Sequence, residues 1–203
     1  MSISKIIHNK FIYNDRMSQL HKHISDIITK HNCSNILDIG AGDGKIDKMI
    51  QDTTNATIEG IDVLVRDILY IPVTEYDGEH INMLDNSINT TMMIDVLHHT
   101  ENPLVVFNEA VRVSSKYIII KDHLKHGFLS YLKLRLMDYV GNKHYSVNLP
   151  YNYLSESSWK TMFENANLDI VEYKTDLNLY KGLCHLLFDS NLHFIVLLKK
   201  EVN

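Results

Sequence analysis

The chain has little of what usually braces or divides a small protein. Its 203 residues include only two cysteines, three prolines and one tryptophan. Cys33 and Cys184 can build neither a disulfide framework nor a cysteine-based zinc spacing, which fits a reducing compartment. Few prolines, eight glycines and no repeat or low-complexity tract leave nothing that reads as a linker between domains. No apolar run approaches the ~20 residues that span a bilayer, and the first residues lack the continuous apolar centre of a signal peptide. The expected location is the cytoplasm. An excess of basic charge is absent too. Twenty basic against 25 acidic residues give a formal charge of −5, which argues against a surface that tracks nucleic acid. What the chain does have is 45% hydrophobic content, at a length that suits one core better than two. A single domain over residues 1–203 is expected.

Three of the few glycines fall together. Residues 35–45 read NILDIGAGDGK, an apolar run interrupted only by Asp38, then Gly40, Gly42 and Gly44 at every second position. That is a buried strand entering a tight turn, where backbone without Cβ can reach unusual φ and let a ligand approach. Residues 45–51 follow with helical composition, Ile46, Met49 and Ile50 forming one side, so the unpaired N–H groups of a helix start face the turn. Spacing narrows the nucleotide. A dinucleotide fingerprint would need a third glycine where Lys45 stands, and a P-loop would need Gly and Ser or Thr where Ile39 and Ile46 stand. A second strand, residues 56–61, ends at Asp62, about twenty residues beyond the turn, where a carboxylate can accept hydrogen bonds from a ribose diol.

The remaining pattern, D-x-G-x-G-x-G with an acid at the strand end, resembles the first motif of class I S-adenosylmethionine-dependent methyltransferases, in particular the type 11 group. Residues 94–100, IDVLHHT, followed by Pro103, look like the fourth-strand motif of the same superfamily. The resemblance implies an α/β, Rossmann-like class I methyltransferase fold: a mostly parallel seven-stranded sheet with an antiparallel last strand and helices on both faces. It implies S-adenosyl-L-methionine as cofactor, bound by Asp38, Gly40, Ala41, Gly42, Asp62, Val63 and Asp95, with Asp77 and Gly78 beside the adenine. Read alone, Asp77-Gly78 is a turn signal. An Ile81-Asn82-Met83 run also replaces the Leu-Pro-Phe common after that loop. The implied activity is methyl transfer to an O or N atom of a small-molecule or lipid-like acceptor. A non-catalytic cofactor-binding assembly module and a nicotinamide oxidoreductase are the alternatives.

Local patterns fill in the rest. Residues 16–31 carry Met17, Leu20, Ile24, Ile27 and Ile28 at helical steps, giving an N-terminal helical cover over residues 1–32 from which Tyr13 or Arg16 could reach inward. Strands are expected at residues 89–94 and 116–121, with a helix at 104–113 capped by Asn102 and started by Pro103. Alternating strands and helices imply a parallel sheet with right-handed crossovers, and ligands then sit at the strands' carboxyl ends, near Gly40, Asp62, Asp95 and Asp122. Alternation stops at residues 124–154, where the superfamily often builds a substrate lid. A helix at 128–139 and the rings of Phe128, Tyr131, Tyr139, Tyr145, Tyr151 and Tyr153 suit an organic acceptor or plain packing against the domain edge. Arg16, Tyr13, Tyr139, Tyr151 and Tyr153 are the acceptor-side candidates. A helix from Ser155 and strands at residues 168–175 and 191–199 close the chain, the final antiparallel pair that the superfamily shows.

His98, His99 and His123 are the catalytic candidates, on loops at the ligand-bearing edge and titrating near neutrality. As neighbours, His98 and His99 should splay apart, leaving one of them structural. Twelve histidines raise the question of metal, and His21 with His23 or His123 with His126 are spaced like ligand pairs. No carboxylate or cysteine completes such a set in sequence, so no metal is expected. Oligomeric state and acceptor identity are not legible.

Overall fold

The structure, a computed structural model, describes residues 3–142, 150–182, 185 and 191–201. Tyr145 and Cys184 lie outside them. Helix α1 (Ile3–His31) leads to β1 (Asn35–Ile39), α2 (Lys45–Thr53), β2 (Thr57–Asp62) and β3 (Val73–Glu75). Then come β4 (Ile88–Ile94), a 3-10 turn (Leu97–His99), α3 (Pro103–Val113) and β5 (Ser114–His123). Helices α4 (Gly127–Asn142) and α5 (Glu156–Asn165) precede β6 (Leu168–Lys174) and β7 (His193–Lys200).

The seven strands form one sheet in the order β3-β2-β1-β4-β5-β7-β6. The first five are parallel, and β7 runs antiparallel to both β5 and β6. Strand order reverses between β1 and β4, so the chain leaves these neighbours in opposite directions and opens a crevice at their carboxyl ends. Each face is covered. On one side α1 packs Leu20, Ile24, Ile27 and Ile28 against Ile36, Ile58, Met92 and Ile119. On the other, Phe107 of α3 and Trp159 and Phe163 of α5 pack against Leu37, Ile118, Ile120 and Phe194. Strands clothed on both faces need apolar residues at every position, which is why β5 runs Tyr117-Ile118-Ile119-Ile120 without alternation.

This is the class I methyltransferase architecture expected from the sequence, with three differences of detail. The seventh strand, β3, had no sequence signal. Three residues cannot display a period, and β3 exists because Gly60 and Asp62 of β2 offer it an edge, with Gly60 N–H donating to Pro72 O at 2.9 Å. Helix α1 begins at Ile3, inside the helical cover expected over residues 1–32 and well ahead of the stripe read at residues 16–31, since a segment without Gly or Pro extends a helix beyond its buried stripe. Asn102 stands at the start of α3 but makes no side-chain cap, whereas Ser155 does cap α5, accepting from Ser158 N–H at 3.1 Å. No helix among the described residues is long and apolar enough to cross a membrane.

The sheet centre should dominate stability. Ile119→Ala, at a fully buried position of β5, is expected to cost about 2–5 kcal/mol in urea unfolding. Ile170→Ala, on edge strand β6 and 44% exposed, should change it by no more than about 0.5 kcal/mol.

Candidate active site

At the crevice the three glycines do different work. All take positive φ, +80° at Gly40, +60° at Gly42 and +72° at Gly44. A Cβ on Gly40 would lie 2.6 Å from Val96 Cγ2, and one on Gly44 would lie 2.3 Å from Ile71 Cγ1. Those two positions are packing constraints. A Cβ on Gly42 would meet nothing within 4 Å, so there the bare main chain faces open space. Asp62 holds the loop in shape: Oδ2 accepts from Gly42 N–H at 2.8 Å and Oδ1 from Leu64 N–H at 2.9 Å. Each oxygen keeps a lone pair for a further donor. Asp77 makes its own turn, Oδ1 accepting from His80 N–H at 2.7 Å and Glu79 N–H at 2.8 Å, and these backbone donors hold its carboxyl below the usual range. Gly78 approaches the Val63 side chain, so the loops after β2 and β3 form one lip.

Asp38 is 2% exposed, behind the glycine loop, and its neighbour is a residue the sequence pattern had turned outward. Asp47 is fully buried in α2 beside Ile50, whereas Ile46 and Met49 are half-buried. Asp38 Oδ1 and both Asp47 oxygens find no donor elsewhere among the described residues. Burial, then the Asp47 charge, push Asp38 well above the carboxylate range. Burial pushes Asp47 up to about 6, restrained by a hydrogen bond from Asp38.

Beyond Val96 lies a chain of charges. Asp95, at φ +56°, is ion-paired to Arg16 of α1 and to Lys121 of β5. Lys121 is completely buried and its Nζ is also 3.2 Å from His193 Nδ1. Burial disfavours the Asp95 charge, but Lys121 and Arg16 overcome it and hold the carboxyl well below its ordinary range. Next to this group Asp122 Oδ1 meets His98 Nδ1 at 2.5 Å and the His123 N–H at 2.7 Å, while Oδ2 accepts from Leu97 N–H at 3.1 Å. Burial would lower His98, yet Asp122 and then Asp138 raise it to about 10. Burial and the His98 charge lower His99 to about 4 and depress His123 as well. Asp138, from α4, accepts the Tyr153 hydroxyl and stands 3.5 Å from His98 Nε2.

The three catalytic candidates therefore converge, with two corrections. His98 and His99 do not splay: their ring centroids are 3.9 Å apart. A 3-10 turn sets successive side chains about 120° apart, and both rings bend toward the same carboxylates. His123 is the last residue of β5 and not on a loop, 4.4 Å from the His98 ring. Of the acceptor-side candidates, Arg16 and Tyr153 enter the cluster. Tyr151, at φ +59°, lies under the Arg135 guanidinium at 4.6 Å. Tyr13 lies under the Lys45 ammonium at 5.2 Å, linking α1 to the end of the glycine loop, and Tyr139 is half exposed. The histidine pairs singled out by spacing do not meet. His21 bonds Thr53 Oγ1, His23 bonds Leu177 O and His126 bonds Asn191 O. Sequence reasoning missed Lys121, Asp138 and His193. A lysine within a strand buried on both faces and a lone acid in the apolar run LRLMDYV were the available signals.

The chain matches the methyltransferase domain family over residues 11–173. It belongs to that family. The methyltransferase is S-adenosylmethionine-dependent, and its cofactor is S-adenosyl-L-methionine. The nicotinamide alternative falls with this match. A search among curated proteins returns no matching sequence. Among solved structures, a possible histamine N-methyltransferase from Thermotoga maritima superposes with a TM-score of 0.66 at 15% identity, over 98% of this chain and 96% of that one. Magnesium protoporphyrin IX methyltransferase from Synechocystis, solved with bound SAH, gives 0.64 at 12% identity over 95% and 86%. The [4+2]-cyclase SpnF gives 0.63 at 11% over 89% and 81%. At such identities the likeness concerns the fold alone.

Gly42→Val, which both strains φ and fills the open space, should abolish cofactor binding in calorimetry, and Asp62→Ala should weaken it strongly. Unchanged affinity in both would place the cofactor elsewhere. The buried acid pair predicts a pH effect of definite sign. Both carboxyls titrate above their unfolded values, so their favourable contribution is complete below about pH 4 and is lost as pH rises through about 6. Asp47→Asn should then stabilise the fold by about 1–3 kcal/mol at pH 7, with the gain shrinking toward pH 4 in denaturant titrations.

Proposed function

We propose that the methyltransferase transfers its methyl group to an O or N atom of a small-molecule or lipid-like acceptor, bound between α1, the histidine turn and α4. One observation carries this reading. The Val96 side chain rests on Gly40, so the glycine loop and the turn bearing His98 and His99 are in direct contact across the β1–β4 switch point. In this reading the main chain of Gly40, Ala41 and Gly42 and the Asp62 carboxylate hold the cofactor's amino-acid and ribose portions. Val63, Asp77 and Gly78 line the adenine side, with Asp38 and Asp95 supporting from beneath. Bound there, S-adenosylmethionine supplies a methyl group already activated on a sulfonium, so the protein's task is alignment and exclusion of water.

The chain's own residues supply the acceptor side. Arg16 is anchored by Asp95, and Tyr13, Tyr139, Tyr151 and Tyr153 offer apolar faces with polar tips. His98 is locked between two carboxylates and orients its neighbours. His99 is half-buried, and its imidazole is the one of the three that the surface reaches, a group able to engage an acceptor hydroxyl or amine. His123 backs the pair. Removing such a group in proton-transfer chemistry lowers rates by about 10²–10⁴-fold. His99→Ala should therefore depress kcat by that order on whichever phenol, carboxylate or amine proves to be turned over. Cofactor affinity should remain within about twofold, as expected for a group acting only on the acceptor. An unaltered kcat would remove the histidine turn from catalysis.

A further inference from the structure

Two buried imidazole nitrogens in this cluster make no hydrogen bond among the described residues. His98 is 1% exposed and its Nε2 has no hydrogen-bond partner among the described residues, nor has His99 Nδ1. One ligand atom from each of His98, His99 and Asp138 lies within 4.8 Å of the others. His98 Nε2 and Asp138 Oδ2 are 3.5 Å apart, long for a hydrogen bond. It is the separation of two ligands at ~2.1 Å around one tetrahedral cation, about 3.4 Å. The outer contacts are those of a metal site. His98 Nδ1 bonds the Asp122 carboxylate at 2.5 Å, so that a cation displacing the Nε2 proton would meet a lone pair already directed inward, in the carboxylate–histidine arrangement that orients metal ligands. The Tyr153 hydroxyl bonds Asp138 and its ring stacks on His98 at 5.5 Å.

The geometry points to a divalent first-row cation bound by His98 Nε2, His99 Nδ1 and the Asp138 carboxylate, with a further position left for an acceptor oxygen or nitrogen. Two imidazoles and one carboxylate suit Zn²⁺, Fe²⁺ or Mn²⁺ better than Mg²⁺. A second grouping, Asp95, His98, Asp122 and His123, also has its ligand atoms within 4.8 Å. Its carboxylates are already held by Arg16, Lys121 and backbone N–H groups, so it is the supporting shell. His99 is half-buried, which gives the cation a way in. At that position the cation would act as a Lewis acid with no change of oxidation state, lowering the pKa of a bound acceptor hydroxyl so that its proton passes to solvent water; the oxygen then takes the methyl group as the sulfonium C–S bond breaks and S-adenosylhomocysteine leaves. This role deepens the acceptor-side assignment and rests on it, but cation binding itself is measured without any acceptor.

The test uses the full chain made without a histidine tag, stripped with chelator and titrated with Zn²⁺ alone by calorimetry, with metal content counted by mass spectrometry. One equivalent is expected. His99→Ala and Asp138→Asn should each weaken it by at least about 100-fold, and Tyr153→Phe by about tenfold, while cofactor binding persists in all three. Co²⁺ in the stripped protein should show the intense visible bands of a four- or five-coordinate site with nitrogen ligands, independently of any variant. No Zn²⁺ uptake by the wild type, uptake indifferent to His99→Ala and Asp138→Asn, or a pale six-coordinate Co²⁺ spectrum would each overturn the assignment. Unaltered turnover in His99→Ala, in a protein whose wild type binds the cation as expected, would instead count against the acceptor-side reading alone.

Discussion

A charged lysine in the middle of a sheet is tolerable only if something answers it, and that constraint organises this protein. Lys121 sits in β5 with no solvent contact, and Asp95, delivered by the left-handed residue after β4, neutralises it while also receiving Arg16 from α1. Three elements distant in sequence are thereby joined at one point. Replacing such a buried group by apolar residues often stabilises a fold, so its presence is weak evidence for stability and better evidence for a site that needs charge. The position agrees: the network lies at the carboxyl end of the sheet, where the strand order reverses.

Two clusters of buried ionisable groups lie on either side of the contact between Val96 and Gly40. On the cofactor side, Asp38 and Asp47 confront each other behind the glycine loop, an arrangement that disfavours the native state at neutral pH. On the other side, Asp122 bonds His98 and Asp138 stands 3.5 Å from its second nitrogen, so that α4, outside the parallel sheet, is drawn to the histidine turn. The main-chain bond from Asn152 N–H to His98 O and the Asn152 side-chain bond to Thr100 O, 3.2 and 2.8 Å, fasten the returning segment to the same turn. The segment after β5 is thus bound directly to the histidine turn. Active sites commonly hold such locally unfavourable arrangements, kept in place by the surrounding core.

Much of the architecture was legible because its signals are local. The glycine triplet, the apolar strands, the buried stripe of α1, the Ser155 cap and the acid at Asp62 each follow from a few consecutive residues. What escaped was of another kind. Strand β3 is too short to show a period and depends on an edge offered by β2. Asp47 looked like the solvent face of α2 because a nine-residue helix has few turns from which to judge its inner side. Lys121, Asp138 and His193 carried no motif, and the pairing of His98 with His99 ran against simple geometry because two distant carboxylates draw both rings inward.

The sequence alone settled the sheet, its glycine-lined crevice and the family, since backbone conformation and burial pattern are written in residues a few positions apart. Tertiary structure decided which ionisable groups meet. His98, Asp122 and Asp138 come from three separate elements, and only when the chain packs around the sheet are their charges brought close in a medium too poor in water to screen them.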